Sequence, residues 1–283
     1  MAEVELDYVL PPADLQPFVT TFYRFRSDVR VFDELERAQI AQLRFRLSAG
    51  ESSYLFPDGS SQVMPPLHLL GPTTGPTRAR GPGPVFIFGL GLTPAGWEAL
   101  LGSNASAMVN RVVDATALFG DAIAETAIRL RADGGAAAMA AAVEPLVRRL
   151  LRRDNEATIL FVRAVDDWLA GSPSPDLDAL TAATGLSRRQ VERRCNALYG
   201  APPKLLARRY RALRAAVALA SGEPGDDGAP DGFYDQSHLI REVKQFTGLT
   251  PRRLRQDPGD LAKVTIAQRR ALAGRVPRVV SET

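Results

Sequence analysis

Apolar residues alternate or cluster in short runs from roughly Phe18 to Thr93, and beyond Pro94 they recur every three or four residues. The runs "FVTTFYRF", "QLRFRLSA", "SYLF" and "VFIFGLGL" are separated by "FPDGS", "GPTTGPT" and "GPGP". Alternation between Pro, Gly and Asp turns predicts short β-strands, because successive strand side chains point to opposite faces. After Pro94, "PAGWEALLG", "DAIAETAIRLRA", "AAAMAAAVEPLVRRLLRR" and "ATILFVRAVDDWLAG" carry helical spacing, with Pro145 the interior exception. The chain therefore reads as α+β: a β-rich barrel or sandwich with helices at its end, then an all-helical remainder. The boundary is expected near "RRDNEA", giving a domain over 1–153, a second over 154–258 and a tail over 259–283. The alanine-rich stretch 136–142 suits either a packing helix or a protomer interface.

The helical half contains a repeat. Val191, Cys195 and Leu198 recur as Leu239, Val243 and Phe246 at an offset of 48, with Arg193 on Arg241, Gly200 on Gly248, Pro203 on Pro251 and Leu206 on Leu254. Each unit is predicted to be a helix ended by a glycine suited to a left-handed cap, then a proline suited to start the next helix. In the first unit Leu177, Leu180 and Ala183 share a face, "TGLS" turns, and Ser187 with Gln190 has capping-box spacing. Two short helices joined by such a turn form a helix-turn-helix.

The reading helices are expected at 187–198 and 235–247. With the apolar stripes inward, about 100° per residue turns Arg189, Arg193 and Asn196 outward in the first, flanked by Gln190 and Glu192. The same construction turns out Ser237, Arg241 and Lys244 in the second, with His238 beside them. Arg188, in the first turn, joins the contact set. These side chains suit base edges and phosphates: Arg pairs with guanine, Asn with adenine, and Glu accepts from cytosine. Between the units, "PKLLARRYRALRAAVALA" places Leu206, Tyr210, Leu213 and Val217 in one stripe, with Arg208, Arg209, Arg211 and Arg214 around it. At roughly 25 Å this spacer approaches the roughly 34 Å repeat of the major groove, and its arginines with Lys204 are expected on phosphates.

"GLSRRQVERRCNALYGAPPKLL" and "GFYDQSHLIREVKQFTGLTPRRLR" resemble the two helix-turn-helix motifs of AraC/XylS-type bacterial transcription regulators, over about 157–256. The resemblance implies a seven-helix DNA-binding domain, with Arg189, Glu192 and Arg193, then Gln236, Ser237, His238 and Arg241, facing bases. "PPADLQPFVTTFYRF" and "LTPAGWEALLG" resemble the sensory half of some members of that family, which implies a cupin-like barrel that binds a small effector or mediates dimerisation. The expected partners are promoter or operator duplex DNA, a small-molecule effector, a second copy and RNA polymerase, in the cytoplasm.

The second unit departs from the first where a supporting helix belongs. Leu177, Leu180 and Ala183 map onto Gly225, Gly228 and Asp231, within "EPGDDGAPDG". Each helical Gly costs about 1 kcal/mol and an interior Pro about 3, so residues 223–231 are predicted to be a loop. Glu223, Asp226, Asp227 and Asp231 also bring negative charge near a phosphate-facing surface. Either the first unit dominates recognition, or the second no longer binds DNA and the chain is a ligand-binding or protein-interaction module.

Charge supports a nucleic-acid partner only through its distribution. The net charge is +3, but residues 176–256 hold 14 Lys and Arg against 9 Asp and Glu, and that local excess attracts an anion. Two histidines and one cysteine leave no ligand set for a His/Cys metal centre. Cys195 fits a small core residue. No phosphate loop, GxSxG elbow or triad order is present, and "GLGLTPAG" reads as a turn, so neither enzyme chemistry nor a cofactor is expected. No secretory leader or membrane-spanning run is apparent. Trp97, Phe22, Tyr23, Phe86 and Phe88 are assigned to core ahead of an effector pocket.

Overall fold

The computed structural model describes residues 4–130, 134–151, 156–222 and 232–283. Its first part contains β1 (Val4–Val9), β2 (Val19–Ser27), β3 (Val31–Glu36), β4 (Gln42–Arg46), β5 (Ser52–Leu55), β6 (Ser61–Met64), β7 (Leu67–Leu70), β8 (Thr77–Pro82), β9 (Val85–Leu92) and β10 (Val112–Asp114). These form a six-stranded sheet, β1-β2-β9-β4-β7-β10, facing a four-stranded sheet, β3-β8-β5-β6. Every pairing is antiparallel. Helices α1 (Pro94–Leu101), α2 (Ala115–Phe119), α3 (Asp121–Leu130) and α4 (Gly135–Leu150) complete this half. The expected β-rich domain with terminal helices is thus present.

Both faces of the larger sheet are covered. One face, carrying Phe22, Leu43, Phe45, Phe88 and Leu90, packs with Trp97, Ile123, Val143 and Val147 of the helices. The other, carrying Leu6, Phe25 and Ile87, packs with Phe32, Tyr54 and Ala79 of the smaller sheet. Phe22, Phe88 and Trp97 are core as expected, whereas Tyr23 borders the space between the sheets. Phe86 is half-buried beneath the Arg26 guanidinium, 5.2 Å from the ring centre.

The "GLGLTPAG" run is corrected from a turn to the end of a strand: Gly89 and Gly91 belong to β9, and α1 begins at Pro94. A Cβ at Gly89 would strike the Tyr23 phenol, and one at Gly91 the Thr20 hydroxyl. These glycines make room for polar side chains inside the sandwich rather than bending the backbone. Helix α4 runs through Pro145 on its exposed side. Pro145 brings no amide hydrogen to that turn, and the exposed setting limits the cost.

The consequence of a doubly covered sheet is a polar interior. Strand β4 is buried at every position, with Leu43 and Phe45 toward the helices and Gln42, Arg44 and Arg46 at the alternate positions. Arg44 donates to both Glu36 carboxylate oxygens at 2.9 and 2.7 Å, to Tyr54 Oη at 2.7 Å and to Gln42 Oε1 at 2.9 Å. Tyr23 Oη donates to Gln42 Oε1 at 2.6 Å. His68 Nδ1 lies 2.7 Å from the Pro65 carbonyl, which can only accept, so Nδ1 carries the proton and Nε2 accepts from Tyr54 Oη at 3.1 Å.

Burial first, then the Arg44 charge, lowers the His68 pKa to about 3. An unfolded imidazole takes its proton near pH 6.5, so acid favours the unfolded chain. The contribution of neutral His68 should be fully present above pH 6.5 and shrink by about 2 kcal/mol by pH 5. Denaturant titrations at several pH values check this: His68→Gln should flatten the fall of stability between pH 6.5 and 4 by up to about one proton.

The second half begins with α5 (Glu156–Gly171), α6 (Leu177–Thr184), α7 (Arg188–Tyr199), α8 (Pro203–Ala220), α9 (Gln236–Thr247) and α10 (Pro251–Gln256). The expected boundary between 153 and 154 and the expected break at 223–231 both lie outside the described residues. The tail forms α11 (Asp260–Arg270) and α12 (Arg278–Ser281) and turns back onto the β half. Leu261 and Val264 pack on the core between the sheets, and Arg37 and Arg269 both donate to the Thr283 carbonyl.

Candidate nucleic-acid interface

Local chemistry fixes α6 and α7 as a helix-turn-helix. Asp176 caps α6 by accepting from the Asp178 amide, and Gly185 ends it with φ 66°. The Ser187/Gln190 capping box is fully formed at the start of α7, and Gly200 ends that helix with φ 70°. Val191, Cys195 and Leu198 are buried beside Leu180, Phe161 and Val165. Burial lifts the Cys195 thiol pKa to about 12, consistent with a core side chain. Leu177 is half-buried, but Ala183 is exposed and does not join the expected inward face.

Arg188, Arg189, Glu192 and Arg193 are exposed on α7. Arg188 is held by Asp178 at 2.6 Å; Arg189 and Arg193 make no ion pair among the described residues. Asn196 is half-buried, and its amide donates to the Glu192 carbonyl at 2.9 Å. Arg194 turns the other way, its guanidinium 4.6 Å from the Phe161 ring centre.

Helix α9 repeats the arrangement with different supports. Asp235 caps it through the His238 amide at 2.7 Å, and Gly248 ends it with φ 77°. Gln236, Ser237, Ile240, Arg241, Lys244 and Gln245 are exposed, while Leu239, Glu242, Val243 and Phe246 are buried. Arg241 and Lys244 make no ion pair among the described residues. His238 is half-buried: its ring meets Phe233 edge-on, and Nδ1 accepts the Tyr234 amide at 3.2 Å, so it secures the entry to α9.

The Arg-rich spacer α8 requires a correction. Arg208 donates to both Glu242 oxygens at 2.7 and 3.0 Å, Arg211 lies 3.9 Å from the same carboxylate and donates to the Pro173 carbonyl, and Arg214 pairs with Glu282 at 3.5 Å. Arg209 is half-buried against Tyr199 and the sandwich rim. These arginines hold helices together because α8 runs through the middle of this half, packed on several sides. Of the residues expected on phosphates, Lys204 and Arg214 stay exposed, Arg214 with its pairing to Glu282.

Both reading helices are anchored at their C-terminal ends. A Cβ at Gly200 would meet Val109 and Ala105 of the β half. At the end of α9, the Ala38 amide donates to the Phe246 carbonyl at 2.8 Å, and Gly248 abuts Leu35 and Pro76. The N-terminal turns, where helix-turn-helix proteins meet base edges, carry the free side chains. A cavity of about 200 Å³ also opens between the sheets. Phe25, Phe32 and Ile87 line it with Tyr23, Gln42 and Arg44, and α8, α10 and α11 contribute its other wall.

A family model described as a helix-turn-helix domain matches residues 180–257. No curated protein matches the chain by sequence. Among solved structures, ToxT from Vibrio cholerae is similar at 8% identity, covering 81% of this chain and 95% of that one, with a TM-score of 0.44. ToxT from strain SCE256 with bound unsaturated fatty acid is similar at 10% identity, covering 81% and 93%, with a TM-score of 0.43. The AraC-like transcriptional activator CuxR is similar at 13% identity, covering 74% and 86%, with a TM-score of 0.33.

Proposed function

We propose that the protein is a transcription regulator of the AraC type that binds duplex DNA sequence-selectively through α7 and α9, a reading supported by the helix-turn-helix family model that matches residues 180–257. The observation that carries this reading is the pair of capped helices whose N-terminal turns expose Arg189, Arg193, Ser237 and Arg241 while their opposite faces are buried. Arg189, Arg193 and Arg241 suit guanine edges, Glu192 suits a cytosine amino group, and Lys204 and Lys244 suit phosphates. Helix α9 is formed, capped and seated, which favours contact by both units over a module that has lost operator binding.

The cavity between the sheets is proposed as the effector site, taking a small molecule with an apolar body and hydrogen-bonding groups. It would act on DNA affinity because α8, α10 and α11 form part of its wall. A DNA partner supports a cytoplasmic location. Among the described residues no helix is long and apolar enough to cross a membrane.

A selection from random duplexes followed by binding titrations tests the reading. Arg193→Ala and Arg241→Ala should each weaken the selected duplex by about 10- to 100-fold and relax the preference at one position. Raising salt from 50 to 200 mM should weaken wild-type binding steeply. Loss with Arg193→Ala alone would assign recognition to the first unit, and no selected sequence at any salt would overturn the proposal.

A further inference from the structure

Ile240 is 44% exposed on α9. It lies on the flank of the outward face, four residues after Gln236, three after Ser237, one before Arg241 and four before Lys244, and all four neighbours are exposed. A branched apolar side chain exposed amid polar ones on the flank of a reading face has little to gain from water, but it can pack against a methyl group. In the major groove the only methyl group is the C5-methyl of thymine.

The repeat sharpens this observation. At the offset of 48 that superposes Arg193 on Arg241 and Cys195 on Val243, Ile240 takes the place of Glu192. Both side chains are exposed at the same turn of equivalent helices. Glu192 can accept from the N4 amino group of cytosine, whereas thymine presents the O4 acceptor there and would repel a carboxylate. Ile240 can make no hydrogen bond to either pyrimidine, but it gains contact area from the thymine methyl. The helix frame is therefore the same and the chemistry at one position is reversed.

Resting on the DNA-binding reading above, we propose that the two units read opposite pyrimidines at their equivalent position: Glu192 selects cytosine in one half-site and Ile240 selects thymine, through its methyl group, in the other. Ile240 is thus a specificity-determining residue of α9, and the operator halves are inherently unlike at this base pair.

The test uses the full chain and a duplex selected from a random library. Each thymine is replaced in turn by deoxyuridine, which removes only the methyl group. One thymine in the half-site covered by α9 should show a loss of about 3- to 5-fold, as expected for one buried methyl. Ile240→Ala should bind the thymine and uracil duplexes equally, and Ile240→Glu should move the preference at that position to cytosine. A selected duplex with no uracil-sensitive thymine, or an Ile240→Ala variant that keeps the sensitivity, would overturn the inference and leave the DNA-binding reading standing. Failure to select any duplex would overturn both.

Discussion

Replacing Arg44 with methionine should destabilise the β half by about 3–5 kcal/mol, the range for breaking a buried ion pair from one side. The Arg44 side chain is almost wholly buried, and its guanidinium serves Glu36, Tyr54 and Gln42 at once. Methionine fills much of the volume but leaves the Glu36 carboxylate inside the sandwich with only the Gln39 amide, 2.6 Å away, among the donors it now uses. Tyr54 loses the donor to its oxygen, and Gln42 keeps the Tyr23 hydroxyl alone on Oε1. Denaturant unfolding of the full chain measures the loss. A second change, Glu36→Leu, should recover a large part of it, because removing both charges removes the stranded carboxylate. The effect should also reach DNA: the Glu36–Gln39 segment contains Ala38, whose amide holds the Phe246 carbonyl at the end of α9. Arg44→Met should therefore weaken the α9 half-site more than the α7 half-site. Unchanged stability would show that the network is not a support.

That network was not legible in the strand pattern, for a physical reason. Alternation in "QLRFR" separates two faces but does not say which is inside, and in a sheet covered on both sides each face is inside. The strand pattern therefore carries no sign that Arg44 and Arg46 are both buried. The tail was equally silent: α11 carries no buried residue of its own to mark an apolar stripe, yet it closes the gap between the sheets through half-buried contacts. The helical half was far more legible because its signals are local. Ser187 and Gln190 form the expected capping box, and Gly185, Gly200 and Gly248 adopt the left-handed conformation that helix termination requires. The outward positions of α7 and α9 follow from stripes that are buried as the repeat implied. Long-range pairing defeated the reading of α8: arginines around an apolar stripe resemble a solvated basic face until Glu242, thirty-four residues away, is found between two of them. Ile240 does carry a sequence signal, an apolar residue out of phase with the buried stripe of Leu239, Val243 and Phe246.

Glu242 should prove to be the residue on which the second reading helix depends. It lies on the buried side of α9, accepts both donors of Arg208 and has Arg211 3.9 Å away. Burial pushes its carboxyl upward, but Arg208, with help from His238 and Arg211, more than offsets that, so it titrates below the ordinary value of 4.5. Glu242→Ala strands two arginines against the helix pair. Since the Arg208 head is one-third exposed, the loss should fall near the lower end of the range for such changes, about 3 kcal/mol. Glu242→Gln, which keeps the shape and one acceptor, should lose less. Stability from a depressed carboxyl is present above the unfolded pKa and disappears as pH falls through the folded one. The difference between wild type and Glu242→Ala should therefore be constant at neutral pH and close as acid takes the solution below about pH 4.5. Footprinting provides the functional readout. Because α7 is seated on a separate core with Leu180 and Phe161, Glu242→Ala should retain protection of the α7 half-site and lose protection of the α9 half-site. Equal loss from both halves would mean that the two units are positioned as one body, with α8 transmitting the damage.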